Sequence, residues 1–155
     1  MEVFKTVKRV ETAIEMAIAL KQHLRDCYSR AREGSVDPAS RDLFSFLAAE
    51  QERLLGLYRQ LLDEMGYGFQ RVEHVGEYGK YIDTLVLHIP SAQTIDRGMS
   101  PEGALETASQ IGDETCEAFA VMAAALVDAR VKRICAEEKR HRDKIGAYRE
   151  ALDKR

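Results

Sequence analysis

The chain is poor in the residues that staple or break a fold. Its 155 residues hold only three cysteines, Cys27, Cys116 and Cys135, and no Cys-x-x-Cys pair. An odd, unpaired set argues against a disulfide framework and against a zinc or rubredoxin-type iron knuckle. Each is a thiol, and each reads as a small core or half-buried residue. The three prolines, Pro38, Pro90 and Pro101, leave long stretches open to helix. No uninterrupted apolar run reaches the length of a bilayer span, so no membrane partner is expected. Positive charge is not in excess. The formal net charge is -3, which gives no case for nucleic acid or an anionic membrane surface. Strand alternation of useful length is missing too. No signal-peptide core or cleavage site follows Met1 to Arg9, which carries Glu2, Lys5, Lys8 and Arg9 before any apolar run. A cytoplasmic protein is expected.

What is present is helical periodicity. Apolar residues make up 45% and charged residues 32%, in a length that fits one domain over 1–155. Four apolar seams step by three and four, which puts each on one helix face. The first runs Val10, Ile14, Ala17, Lys21, Leu24, Tyr28, and the second Leu43, Leu47, Glu50, Leu54, Leu57, Leu61. The third runs Leu105, Ala108, Gly112, Thr115, Phe119, Met122, Leu126. The fourth runs Val131, Ile134, Glu138, His141, Ile145, Tyr148, Leu152. Each seam is interrupted near its middle, and four interruptions at similar depth predict a polar site inside a four-helix bundle.

The boundaries follow from caps. The first helix is expected from about Val3 to Arg32, stopping near Gly34. Asp37-Pro38 opens the second, which ends at Gly66. Residues 66–99 form a long crossover whose middle, Tyr78 to Ile89, has the pattern of a short helix closed by Pro90. Ser100-Pro101-Glu102 opens the third helix, to about Leu126. The fourth starts near Ala129 and runs to the end. Short loop, long crossover, short loop is the connectivity of ferritin-like bundles, with helices two and three parallel.

A carboxylate-bridged dinuclear bundle needs one inward Glu from each of two helices and Glu-x-x-His from each of the other two. The hard oxygens and imidazoles hold two divalent metals and leave positions open for oxygen or peroxide. Helix four carries the motif intact as Glu138 and His141. In helix two, Glu50 is on the seam and Arg53 stands where the His would be.

With these residues the chain resembles the rubrerythrin-like branch of the ferritin-like superfamily along essentially its whole length. The resemblance is carried by Asp37 to Arg53, by the Pro-Glu-x-Ala-Leu-x-x-Ala opening at Pro101 to Ala108, and by Ala-Glu-Glu-x-x-His at Ala136 to His141. It implies a lone ligand Glu seven residues before an aromatic residue in helices one and three. Counting back from Tyr28 gives Lys21, and from Phe119 gives Gly112. Three implied ligands are therefore replaced: Lys21 for Glu, Arg53 for His and Gly112 for Glu. Glu50, Glu138 and His141 remain. No rubredoxin-like domain is expected.

These replacements are expected to act together. In the family, two divalent cations cancel four carboxylates. Here Glu50 and Glu138 face Lys21 and Arg53, and the sum is again zero without metal. Gly112 would leave room for the two longer cations. The expected protein is a bundle whose dinuclear centre is replaced by a salt-bridged network, non-catalytic or altered, and a full di-iron centre is not expected. The alternative is a metal-binding oxidoreductase holding one iron or other divalent metal on Glu50, Glu138 and His141. A third reading recruits Asp113, Glu114 or the crossover for a full dinuclear site. A homodimer is expected, with a small oxidant or redox partner if the chain is an enzyme. Tyr28, Tyr58, Tyr148 and Phe119 read as core, and His23 and His74 as surface. The basic run Lys139, Arg140, Arg142, Lys144, interleaved with Glu137, Glu138 and Asp143, reads as a solvated face.

Overall fold

A computed structural model describes residues 2–66, 83–85 and 87–154, and these are helical with no strand. Helix α1 is the short Glu2–Lys5, and α2 spans Val10–Gly34, α3 Pro38–Glu64, α4 Pro101–Leu126 and α5 Ala129–Asp153. A 3-10 turn, Pro90–Thr94, precedes α4. None of the described helices is long and apolar enough to cross a membrane.

The caps form where the sequence signals them. The Asp37 side chain accepts from Ala39 N, Ser100 Oγ from Gly103 N, and Asp128 from Arg130 N. Pro38 and Pro101 occupy first-turn positions where no donor is lost. Gly66 leaves α3 with φ +82°, a conformation that costs glycine little. Between α4 and α5 the chain reverses on Val127 and Asp128. Val127 takes φ 47°, uncommon for a β-branched residue, and its side chain stays exposed.

The first helix departs from expectation. It does not run from Val3: the backbone is extended at Arg9, and α2 begins at Val10 where the apolar seam begins. The break lets α1 pack against α4 and buries Phe4 completely, edge-on to His88 at 5.5 Å between ring centroids. A continuous helix would hold Phe4 in line with α2. Half of the crossover helix expected over 78–89 lies outside the described residues, as does His74. Its described part, 83–85 and 87–88, is helical, and Ile89 N donates to Leu85 O.

The helices pack as two hairpins, α2 with α3 and α4 with α5. Cross-pairs give their directions. Arg142 meets Asp113 and Arg149 meets Glu106, so α4 and α5 are antiparallel. Tyr58 meets Glu138, Gln51 meets His141 and Glu50 meets Lys144, so α3 and α5 also run antiparallel. The seam residues Ile14, Ala17, Leu43, Leu47, Leu54, Phe119, Met122, Val131 and Ile134 are fully buried between them. Leu57, Leu126, Tyr148 and Leu152 are only partly covered at the core's edge.

Candidate polar centre of the bundle

Lys21 lies on α2 between Ala17 and Leu24, and its side chain reaches across the bundle to α5. Its Nζ donates to Glu138 Oε1 at 2.7 Å, and each side chain is 1% exposed. The other carboxylate oxygen, Oε2, accepts from Tyr58 OH at 2.5 Å. Burial and the adjacent Glu138 push the Tyr58 phenol well above its ordinary range, so it is a donor at all physiological pH. Glu138 is thus held from α2 on one side and α3 on the other. A charge this deep is tolerated because it is paired and hydrogen-bonded.

A second cluster lies beside it. Arg53 Nε donates to Glu50 Oε2 at 3.0 Å, and Lys144 Nζ reaches the same oxygen at 3.2 Å. Glu50 Oε1 accepts from Arg53 Nη2 at 3.3 Å and faces His141 Nδ1 at 3.3 Å. Burial alone would raise the Glu50 carboxyl. Hydrogen bonds from Arg53, Lys144 and His141 outweigh it and hold the group at about 2. Arg53 also reaches Glu137, which Arg140 contacts at 2.6 Å.

His141 sits between the clusters. Its Nδ1 faces Glu50, and Gln51 Nε2 lies 3.1 Å from its Nε2. This pattern fits a neutral ring that donates from Nδ1 and accepts at Nε2. Burial, then the charge of Lys21, lowers its affinity for a proton. The same arrangement leaves Gln51 Oε1 buried without a partner.

The sequence-derived site is therefore assembled in part and corrected in part. Lys21, Glu138, Glu50, His141 and Arg53 come together. Arg53 does not enter the core as a counterpart of Lys21, because its side chain is 40% exposed and bridges Glu50 to Glu137 at the rim. Gly112 does not open space for either cation. A Cβ there would meet Arg142 Cγ and Cβ at 3.6 and 3.7 Å, ordinary contact distances, and nothing else within 4 Å. Asp113 and Glu114 stay outside the network. Asp113 is largely exposed and pairs with Arg142, while Glu114 Oε1 accepts from Ser91 Oγ at 2.8 Å. The unbroken α4 gives no register shift that would swing either inward.

Four participants were misplaced or missed. Tyr58, read as core, is core with a working hydroxyl. Glu137 is 6% exposed rather than part of a solvated face, and Lys144 turns from that face to Glu50. Gln51 was not singled out. A second seam on α3, Gln51, Leu55, Tyr58 and Leu62, is buried throughout and steps by three and four. Tracing it would have found both Gln51 and Tyr58.

These donors do not fit a metal. Both oxygens of Glu138 and both of Glu50 are engaged by cationic or hydroxyl donors, and His141 uses both nitrogens. Among the described residues no group of three or more His, Cys, Asp or Glu is placed to hold a metal ion. Comparison of the chain with protein-family models, with curated proteins and with solved structures finds no match.

The Glu50 cluster predicts acid sensitivity. The carboxyl falls from an ordinary 4.5 to about 2, so its contribution is present above pH 4.5 and lost as pH falls toward 2. With Arg53 and Lys144 half exposed to screening solvent, the expected size is about 2 kcal/mol. His141 adds to the loss below pH 6.5, since the unfolded ring takes a proton that the folded ring resists. Urea unfolding of Glu50→Gln across this range should show a flatter acid limb than the parent. An identical slope would remove Glu50 from the account.

Proposed function

We propose that the chain is a ferritin-like bundle of rubrerythrin type in which opposing side chains, not metals, neutralise the central carboxylates. It acts as a non-catalytic binding or scaffold protein, cytoplasmic and homodimeric. The observation that carries the reading is the fully buried Lys21–Glu138 pair at the position of an expected metal ligand. Parallel α3 and α4 follow from their common antiparallel partner α5, and this supports a crossover running the length of the bundle. The superfamily assignment itself rests on the quoted motifs, and the homodimer and location rest on that resemblance.

Elemental analysis of purified protein, with an optical spectrum after adding ferrous iron and peroxide, tests the reading. Metal far below one equivalent per chain, and peroxide loss no faster than with free iron, are expected. Two tightly held equivalents of iron or manganese would overturn it for a dinuclear oxidoreductase. One equivalent would overturn it for a mononuclear site on Glu50, Glu138 and His141.

A further inference from the structure

Away from the polar centre, the end of α2 carries a nucleophile in a cleft. Cys27 Sγ lies 3.6 Å from His23 Nε2, one helical turn back, and 3.5 Å from Arg30 Nη2, which donates to it. Cys27 lines an open cleft of about 320 Å³ with Arg30, Ala31, Ile95, Asp96 and Arg97. That volume is within the range of small-molecule sites.

The cleft is built rather than incidental. The Ser35 hydroxyl lies 2.7 Å from Ala31 O and 3.0 Å from Arg97 O, tying the 95–97 segment to the end of α2. The Arg97 side chain then crosses Gly34 so closely that a Cβ there would stand 2.5 Å from its Cδ. Only glycine lets Arg97 lie across that position. Among the described residues neither Arg30 nor Arg97 has a carboxylate in salt-bridge contact, and Asp96 is the only acid among the lining residues. Two cations against one carboxylate in the lining favour an anion, and Asp26, whose charge also reaches Cys27 and His23, is paired with Arg25. Burial, then Arg30, lower the proton affinity of His23 against the pull of Asp26, so the ring stands neutral and can offer Cys27 an acceptor nitrogen. Burial raises the Cys27 thiol, against the pull of Arg30, so it waits protonated until a base removes the proton.

We propose that this cleft takes small disulfides bearing carboxylates, which Cys27 captures by thiol–disulfide exchange with His23 as base and Arg30 and Arg97 as anion contacts. His23 Nε2 accepts the thiol proton as Cys27 Sγ attacks one sulfur of the disulfide. The new bond joins Sγ to that sulfur, the original S–S bond breaks, and the departing thiolate takes the proton from His23. One thiol and one disulfide give one mixed disulfide and one thiol, with the small disulfide as oxidant. The inference does not depend on the fate of the metal-site positions.

The full chain is incubated at neutral pH with glutathione disulfide, and adducts are followed by intact mass and peptide mapping. Neutral hydroxyethyl disulfide and cationic cystamine serve as controls. Cys27 should react about tenfold faster than Cys116 or Cys135, and faster with glutathione disulfide than with cystamine. Arg97→Gln should slow glutathione disulfide about tenfold and leave hydroxyethyl disulfide unchanged, as one lost charge-assisted contact predicts. Gly34→Ala, which pushes Arg97 aside, should act in the same way. His23→Gln should slow all three reagents. Adducts spread evenly over the three cysteines, cystamine reacting as fast as glutathione disulfide, or an unaltered rate in Arg97→Gln would each overturn the proposal.

Discussion

Lys21→Glu should leave the chain largely unfolded at neutral pH. The substitution replaces the partner of Glu138 with a second carboxylate where both side chains are 1% exposed. Two ionised carboxylates cannot share so dry a position, so one must take a proton or the core must open. The lost pair and the repulsion together are expected to cost about 5 kcal/mol, comparable to the whole stability of many domains. The sign of the pH response gives a second check. A carboxyl forced above its unfolded pKa is protonated in the native state, so the variant should gain stability as pH falls from 7 toward 5. The parent should lose some over the same range, because the unfolded His141 ring takes a proton that the folded ring resists. Thermal unfolding at both pH values measures this, and a variant within about 1 kcal/mol of the parent at pH 7 would show that Lys21 is not essential to the core.

Glu138→Gln should destabilise by about 3–5 kcal/mol, although it changes one atom's identity. The carboxylate accepts from two sides, Lys21 Nζ at Oε1 and Tyr58 OH at Oε2. An amide offers one oxygen and one NH2 group. Its oxygen can stay on Lys21 while its NH2 turns to the Tyr58 oxygen, but Lys21 then has no counter-charge beside it. Tyr58→Phe, which removes only the neutral donor, should cost about 1–3 kcal/mol. Urea unfolding at neutral pH ranks the two, and equal losses would mean that the buried charge pair adds nothing beyond its hydrogen bonds.

The bundle was legible because its signals are local. Asp37-Pro38, Ser100-Pro101 and Gly66 mark helix ends through the backbone itself, and α2 to α5 follow the seams within a few residues. The break between α1 and α2 was not legible. Residues 3–9 carry no breaker, and what bends them is Phe4 finding α4 and His88, a contact no periodicity encodes.

In the polar centre, the seam position of Lys21 and the Glu-x-x-His spacing placed two helices' worth of chemistry correctly. Partner choice was out of reach, because seam position alone does not say which of Glu50 and Glu138 Lys21 meets. Arg53 and Lys144 are long enough to reach Glu50 from flanking faces, so a seam alone understates what a buried carboxylate can recruit. Gly112 was misread for the opposite reason. A missing side chain has no direction in sequence, and the structure turns that point toward Arg142.

A double-mutant cycle on Lys21→Met and Glu138→Gln bears most directly on whether side chains neutralise each other in this core. Each single variant strands the other partner, whereas the double variant strands neither charge. The double variant should be less destabilised than the two singles combined by about 2 kcal/mol or more. Single losses that add within about 0.5 kcal/mol would contradict the pairing of Lys21 with Glu138 and the account built on it.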